Sequence, residues 1–213
     1  MQNFHSFFSL VLMVLMFCCA VLSAQLKGVV DLHVHSEPDS RLRNVDAIQV
    51  ARLGQRHGVR ALLLKNHYTH TASLAYVVSQ IVPGVELYGG IVLNRSVGGI
   101  NPIAVEHMVA TTGGLGRVVW MPTFDSEHYV HTFGPNENFV PVSHNGSLLP
   151  EVREVLKLIA KKNLALATGH SSPEESILLI EAGKEAGIDR IIVTHPMLPP
   201  VGMSIELQKK AAL

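Results

Sequence analysis

Apolar runs of strand length alternate with segments of helical periodicity along the chain, from residue 28 onwards. Residues 59–64 form a run of the kind found in strands that are buried on both faces. Residues 45–57 instead space their apolar side chains three and four positions apart, and Gly58 is a helix stop signal. The predicted strands are 29–35, 59–64, 86–93, 117–121, 164–168 and 190–194, and the predicted helices are 45–57, 71–81, 102–112, 148–161, 173–186 and 204–213.

Six alternating strand and helix units predict a parallel sheet covered by helices. An open doubly wound sheet is one such arrangement, but no Gly-x-Gly-x-x-Gly motif follows the first strand. A TIM-like (β/α)8 barrel also explains why polar residues collect at the carboxyl ends of several strands, where barrel enzymes place their chemistry. We therefore predict an α/β fold in which residues 28–213 form such a barrel, incomplete at its C-terminus with about six of eight units. Residues 124–146 have no clear period and are interpreted as a lid or a substrate-binding insertion.

The first predicted strand ends in the motif Asp31-Leu32-His33-Val34-His35. Alternate side chains of a strand share a face, so His33 and His35 lie on one side, about 7 Å apart along the chain. His170 and His195 directly follow the fifth and sixth predicted strands. Each histidine alone could be a hydrogen-bonded core or loop residue, but four at one edge of a sheet predict a shared site for a divalent metal ion. Neutral imidazole suits zinc, manganese, iron and nickel, of which we expect zinc and leave the others open.

Other polar residues that follow predicted strands have more than one interpretation. Lys65 is a substitute metal ligand, a substrate-binding cation, or a solvated and ion-paired lysine. Arg41 and Arg43 could hold an anionic group of a substrate, while Glu37 and Asp39 either assist the metal or form a solvated turn. Five further residues could contact substrate or instead cap loops and turns: His67, Asn94, Asn101, Asp125 and His144.

The charge balance and the cysteine positions narrow the range of partners. Lys+Arg and Asp+Glu both number 17, and neither a basic stripe nor a nucleic-acid motif is present. Both cysteines, Cys18 and Cys19, lie in the N-terminal apolar run, so any metal site in the rest of the chain must use nitrogen and oxygen ligands. The expected partner is a small-molecule substrate rather than a nucleic acid.

Residues 1–24 contain an apolar run with small residues near its end, at Ala20, Ser23 and Ala24. This pattern predicts a secretory signal peptide, and hence a periplasmic or secreted protein. The preceding residues lack Lys and Arg, and Leu22 occupies a position that signal peptidase sites usually fill with a small residue. An uncleaved membrane anchor is therefore the alternative, since about 20 apolar residues can span a bilayer.

In the positions of these histidines, the chain resembles the metal-dependent hydrolases of the amidohydrolase superfamily. That family has His-x-His after the first strand and single histidines after the fifth and sixth, which His33, His35, His170 and His195 match. Within it, four further motifs resemble the DUF6282 group: Leu64-Lys65-Asn66-His67, Val92-Leu93-Asn94, Gly98-Gly99-Ile100-Asn101-Pro102 and Val119-Trp120-Met121-Pro122-Thr123. The resemblance covers about residues 28–200.

The resemblance implies metal-assisted hydrolysis of an amide, ester or lactone-like bond, in which a metal-bound water attacks and a carboxylate accepts its proton. Two features depart from the family. The bridging carboxylated lysine of binuclear members follows the fourth strand, where this chain has Pro122, Thr123 and Asp125. The aspartate after strand eight, a metal ligand and general base, has no counterpart, so the catalytic residue stays unassigned. Asp31 is interpreted as a partner of a histidine or as a structural residue.

Two other functions remain open. The sequence Asp31-Leu32-His33-Val34-His35-Ser36 also resembles the opening motif of PHP-type phosphoesterases. Those proteins carry a late Asp-x-His pair, whereas this chain has Thr194-His195 where such a pair is expected. From a different class, a barrel fragment without its last two units could bind metal without turnover, because it would expose two unpaired strand edges.

Overall fold

The structure is a computed structural model that describes residues 26–134 and 138–212. The strands are β1 (Val30–Val34), β2 (Ala61–Leu64), β3 (Glu86–Val92), β4 (Gly116–Trp120), β5 (Ser143–His144), β6 (Ser147–Leu148), β7 (Ala165–Ala167) and β8 (Ile191–Ile192). The helices are α1 (Ala47–Arg56), α2 (Ala72–Ile81), α3 (Pro102–Ala110), α4 (Glu127–Phe133), α5 (Pro150–Lys161), α6 (Pro173–Glu185) and α7 (Ile205–Ala211), with a short 3-10 helix at Arg95–Val97.

Six of the strands form one parallel sheet in the order β1-β2-β3-β4-β7-β8. Neighbours in the sheet are therefore neighbours in the sequence of parallel strands, as in a barrel rather than in a doubly wound sheet. The sheet curls into a half-barrel, and helices cover its outer face. The predicted alternation of six strands and six helices is confirmed, and the fold is consistent with a partial TIM-like barrel.

Alternate residues of the strands pack into separate parts of the core. Leu62 and Leu64 of β2 face outward, onto the buried side of α1 and α2. Leu63, between them, faces inward and packs in the inner core with Trp120 of β4 and Ala167 of β7. Because β2 is buried on both faces, its sequence is apolar throughout instead of alternating.

The helices begin where local hydrogen-bonding groups dictate. Asp46 and Gln49 form a reciprocal capping box at the start of α1, and Ser172 and Glu175 form another at the start of α6. Proline occupies the first turn of α3, α5 and α6, where its missing N–H costs no hydrogen bond. Most of the polar side chains of the site lie in the segments between the strand ends and the helix starts that follow them.

Residues 124–146 contain more regular structure than their sequence indicates. Helix α4 is only seven residues long and is capped by Ser126, whose Oγ accepts a hydrogen bond from the Tyr129 N–H. The antiparallel pair β5 and β6 turns at Asn145 and Gly146, both of which have positive φ angles. Elements this short leave almost no periodic signal, so a helix and a hairpin here were not predicted.

The two outer strands, β1 and β8, each lack a neighbour on one side within the described residues. Two apolar side chains of β1 are accordingly half exposed, Val30 at 44% and Leu32 at 50%. They line a cleft of about 660 Å³ together with Ile191 and Ile192 of β8. Residues that precede the strands also line this cleft, including Asp189 and Arg190, so it lies towards the amino ends of the strands.

The proposed signal peptide or anchor at residues 1–24 lies outside the described residues. Among the helices that are described, none has the length and apolar character needed to cross a membrane.

Gly169 links β7 to His170, and we expect it to tolerate no side chain. Its φ is +67°, and a Cβ there would collide with the backbone carbonyl oxygens of Met121 and Pro122. Gly114 has a similar φ of +62° but no neighbouring atom within 4 Å of such a Cβ. Gly114→Ala should therefore cost about 1 kcal/mol, the strain of the left-handed conformation alone. Gly169→Ala should lower the free energy of unfolding by about 3 kcal/mol or more.

Urea denaturation of both glycine variants measures the difference. Equal losses would show that the carbonyl contacts at Gly169 do not constrain the chain.

Candidate functional site

Five histidines lie side by side at the carboxyl ends of the strands, and we call them the histidine cluster. The five rings are arranged in a closed loop, so that each ring has two others beside it. The distances between ring centroids are 5.0 Å for His33–His35, 4.9 Å for His35–His67, 6.4 Å for His67–His170, 5.9 Å for His170–His195 and 4.7 Å for His195–His33. The structure thus brings the four predicted histidines together and adds His67 as a fifth member.

The strands place these rings by two simple features. His33 and His35 alternate along the end of β1, and Lys65 and His67 repeat the same spacing just after β2. Beyond the last strand, β8, His195 adopts a left-handed φ of 47°, a conformation that is uncommon for residues other than glycine but enriched in Asn, Asp and His. That left-handed conformation turns the chain so that the His195 ring stacks on His33.

Lys65 is buried inside the cluster, with only 1% of its surface exposed. Its Nζ lies 3.0 Å from His33 Nε2, and 5.2 Å from the centroid of the Trp120 ring. Its backbone carbonyl also binds His35, at 3.0 Å from Nδ1. No Asp or Glu in the described part of the chain forms an ion pair with its ammonium group.

A small hydrogen-bond network holds His67. Its Nδ1 lies 2.9 Å from the hydroxyl oxygen of Thr123. Asn94 Nδ2 donates to that hydroxyl and to the backbone carbonyl of His67, both at 2.9 Å. Asn94 Oδ1 in turn accepts from the Thr123 N–H at 2.8 Å. Asn94 is fully buried and links Thr123 to the backbone of His67, so in this structure it holds the His67 ring in place.

Aromatic side chains border the cluster on one side. Phe124 lies 4.4 Å from His67 and 5.3 Å from His170, measured between ring centroids. The exposed guanidinium group of Arg41 stacks on Phe124, with its central carbon 3.8 Å from the ring centroid. Arg41 Nε also donates to the Tyr68 hydroxyl at 3.2 Å.

Burial lowers the pKa of every member of the cluster. It brings the pKa of His33 to about 2, that of His35 to about 4 and that of His170 to about 3, with the positive charge of Lys65 as the next cause in each case. The pKa values of His67 and His195 are lowered for the same two reasons. All five rings are therefore neutral at pH 7, which is the form of imidazole that binds metal ions.

Burial also lowers the pKa of Lys65, from 10.5 to about 7, and the nearby charge of Arg43 acts in the same direction. Arg43 itself is paired with Asp39: its Nη2 and Nε lie 2.6 and 2.8 Å from Asp39 Oδ2. The other carboxylate oxygen of Asp39 is buried and has no hydrogen-bond partner among the described residues. Arg43 and Asp39, which were predicted to assist substrate or metal binding, are paired with each other in this structure.

Within residues 26–134 and 138–212, no three His, Cys, Asp or Glu side chains have their donor atoms placed to hold a metal ion together. The rings are neighbours, but Lys65 Nζ lies at the nitrogen of His33 that would face such an ion. His170 Nδ1 is buried and has no hydrogen-bond partner in the part of the chain that is described. The chemistry of the donors thus fits a metal ion, whereas their present orientation does not form a complete ligand set.

The remaining predicted residues lie outside the cluster. Asn101 caps α3, accepting from the Ala104 N–H, and Asp125 accepts a hydrogen bond from the Arg95 N–H at 2.8 Å. Asp31 accepts from the His33 N–H at 3.0 Å, as expected for a structural partner of the motif. His144 is exposed on the β5–β6 hairpin and lines a separate cleft of about 500 Å³ with His128 and His131.

Sequence reasoning missed the aromatic border of the site. In the sequence, Trp120 is one of several apolar residues of β4, and nothing marks it as a neighbour of the site. Phe124 and Tyr129, which pack beside His170, lie in the segment that has no periodic pattern. The signal for His67 was available, because Lys65-Asn66-His67 repeats the alternation of His33-Val34-His35 at the end of the adjacent strand.

Replacement of Lys65 by methionine should stabilise the protein. Methionine has a similar volume and no amine to desolvate, and the lowered pKa of Lys65 shows that its burial opposes the charged form. In the unfolded state the lysine binds its proton with the ordinary pKa of 10.5, so the buried lysine costs the folded state most below pH 7, and this cost disappears as the pH rises to 10.5. At pH 7 the gain in the variant should be at least about 2 kcal/mol. Urea denaturation at pH 7, with the exposed Lys157→Met as a control, tests this; a loss of stability would contradict it.

Acid should destabilise the metal-free protein through the cluster. The pKa of His170 is lowered to about 3 in the folded state, so below pH 6.5 the unfolded state binds more protons and stability falls with pH. His170 is only 3% exposed, and its share between pH 7 and pH 5 should be about 1–2 kcal/mol. His170→Asn should remove that share of the pH dependence, whereas the exposed His57→Asn should not. Urea denaturation in the presence of a chelator measures both.

The comparison with known families gives one match. The sequence profile of a family of unknown function, DUF6282, matches residues 28–213. This range includes the whole half-barrel and every member of the histidine cluster. Among curated proteins, none matches this sequence.

Proposed function

The chain belongs to the DUF6282 family, whose function is unknown, and from its site we propose that it is a metal-dependent hydrolase of the amidohydrolase type. The substrate is a small molecule with an amide, ester or lactone-like bond. One observation carries this proposal: five neutral imidazoles, two of them buried and three partly buried, meet at the carboxyl rim of a half-barrel, next to a buried lysine.

The position of the cluster supports a catalytic rather than a structural role. Residues at the carboxyl ends of barrel strands carry the chemistry in this type of fold, whereas the opposite end contributes stability. Burying five imidazoles and an amine without a carboxylate between them is also costly, since each must stay neutral or lose solvation. A metal ion would offset that cost, because neutral imidazole nitrogens coordinate it and its positive charge then replaces their lost solvation.

We assign His33, His35, His170 and His195 as the metal ligands. His67 is fixed by Thr123 through Nδ1, which leaves Nε2 as its second nitrogen and makes it a further candidate ligand. Zinc is the expected ion, and manganese, iron and nickel suit the same donors. Binding requires the Lys65 side chain to move away from His33 Nε2, or to become a ligand itself.

When bound, the ion supplies an activated water and polarises the bond to be broken. Lys65 is the proposed proton acceptor, because its Nζ lies 3.0 Å from His33 Nε2 and no carboxylate of the described chain forms an ion pair with it. Trp120 and Phe124 exclude bulk water on two sides of the cluster, which strengthens the electrostatic interactions there. Thr123 and Asn94 keep the His67 ring in place.

Metal content and hydrolysis test this proposal together. The full chain is loaded with zinc or manganese, dialysed, and examined by elemental analysis and with 4-nitrophenyl acetate and a lactone as substrates. The wild type should retain at least one ion per chain and hydrolyse at least one substrate. The double variant His33→Asn, His170→Asn should lose the ion and lower kcat/KM by at least about 100-fold.

A second double variant, His57→Asn, His107→Asn, serves as the matched control, since both histidines are exposed and distant from the rim. It should bind metal and turn over substrate like the wild type. Equal metal content in the cluster variant and the wild type would contradict the metal site. Retained metal with no hydrolysis of any substrate would instead support binding without turnover.

A further inference from the structure

Arg41 carries a positive charge at the border of the site that the described chain leaves unpaired. No carboxylate among residues 26–134 and 138–212 forms an ion pair with it. Its contacts are the face of Phe124, at 3.8 Å from the guanidinium carbon to the ring centroid, and the Tyr68 hydroxyl, at 3.2 Å from Nε. Both contacts hold the side chain in place without neutralising it.

Arg43, two residues further along, shows the contrast. Its partly buried side chain is paired with Asp39, whose Oδ2 lies 2.6 Å from Nη2. The two arginines share a loop, yet within residues 26–134 and 138–212 only Arg43 has a carboxylate partner. The terminal nitrogens of Arg41 therefore remain available for a ligand, while the charge of Arg43 is already balanced by Asp39.

The position of Arg41 relates its charge to the histidine cluster. One aromatic ring separates them, since Phe124 contacts the guanidinium group on one side and lies 4.4 and 5.3 Å from the His67 and His170 rings. Tyr68, which binds Arg41 Nε, also lies 6.2 Å from His67. A small molecule bound at the cluster can thus reach the guanidinium group with a neighbouring substituent.

The cationic side chains beside the cluster are not all balanced by acids. Arg43 is paired with Asp39, whereas neither Arg41 nor Lys65 forms an ion pair with a carboxylate of the described residues. A neutral or cationic ligand would leave Arg41 without a counter-charge. An oxyanion would receive two parallel N–H donors in the geometry that guanidinium offers to carboxylate and phosphate.

Resting on the proposed function, we propose that Arg41 selects substrates with a negatively charged oxyanion group next to the bond that is hydrolysed. The group is a carboxylate or a phosphate. Arg41 acts as a binding and specificity residue, outside the metal ligands and outside proton transfer.

Binding of simple anions tests the inference without relying on turnover. Trp120 is the single tryptophan of the chain and its ring lies 6.1 Å from that of His33, so its fluorescence reports on ligands at the site. Titrations of the full chain, with and without zinc, use succinate, inorganic phosphate and the neutral analogue succinamide. The wild type should bind succinate or phosphate at least about tenfold more tightly than succinamide, and the tighter of the two anions identifies the group.

Three variants show whether Arg41 causes this preference. Arg41→Met should abolish it, and Arg41→Lys should restore part of it, because lysine keeps the charge but lacks the paired donors. Arg153→Met removes an exposed arginine on α5 and should leave the preference intact. An unchanged preference in Arg41→Met, or equal binding of the three ligands by the wild type, would overturn the inference.

A kinetic measurement separates this inference from the proposed function. The ratio of kcat/KM for mono-4-nitrophenyl succinate to that for 4-nitrophenyl acetate should fall about tenfold or more in Arg41→Met, mainly through KM. If the wild type neither binds metal nor hydrolyses either ester but still binds anions preferentially, the proposed function is wrong and the anion selectivity of Arg41 stands. If the wild type hydrolyses both esters and this ratio is the same in Arg41→Met, the selectivity is wrong and the proposed function stands.

Discussion

Burial of an amine among imidazoles, with no carboxylate of the described chain in contact, is the constraint on which the site depends. Lys65 and the five histidines occupy a space where any of them, once protonated, loses solvation and repels the others. Desolvation decides their protonation states, because it is the largest contribution to the lowered pKa of each. The sheet that carries these side chains is packed by helices on the outside and by the inner core around Trp120 on the inside.

The topology explains how six strands are enough to form the cluster. His33 and His35 come from the first parallel strand, Lys65 and His67 follow the second, and His170 and His195 follow the last two. The middle strands supply support instead, through Asn94 and Thr123. The curl of the sheet then brings the first and last strands together at their carboxyl ends. Each group reaches the rim from a strand that the described half-barrel already contains.

The sequence predicted the fold and most of this cluster for clear physical reasons. Alternation within β1 placed His33 and His35 on one face, and the strand order placed His170 and His195 at the same edge. Two features depended on packing that no periodic pattern reports. The stacking of Arg41 on Phe124 joins a loop after β1 to one after β4, and the left-handed conformation of His195 leaves no periodic signal in the sequence. His67 was recognised as polar and well placed, but its membership of the cluster required the curvature of the sheet.

The stacked pair His33 and His195 has a mechanical consequence. These rings belong to the two outermost strands, which share no backbone hydrogen bond in the described structure and diverge around an apolar cleft at their other ends. The distance between the His33 and His195 rings therefore changes together with the curvature of the sheet. A ligand that draws these two rings closer also tightens the half-barrel, and anything that flattens the sheet pulls the two rings apart.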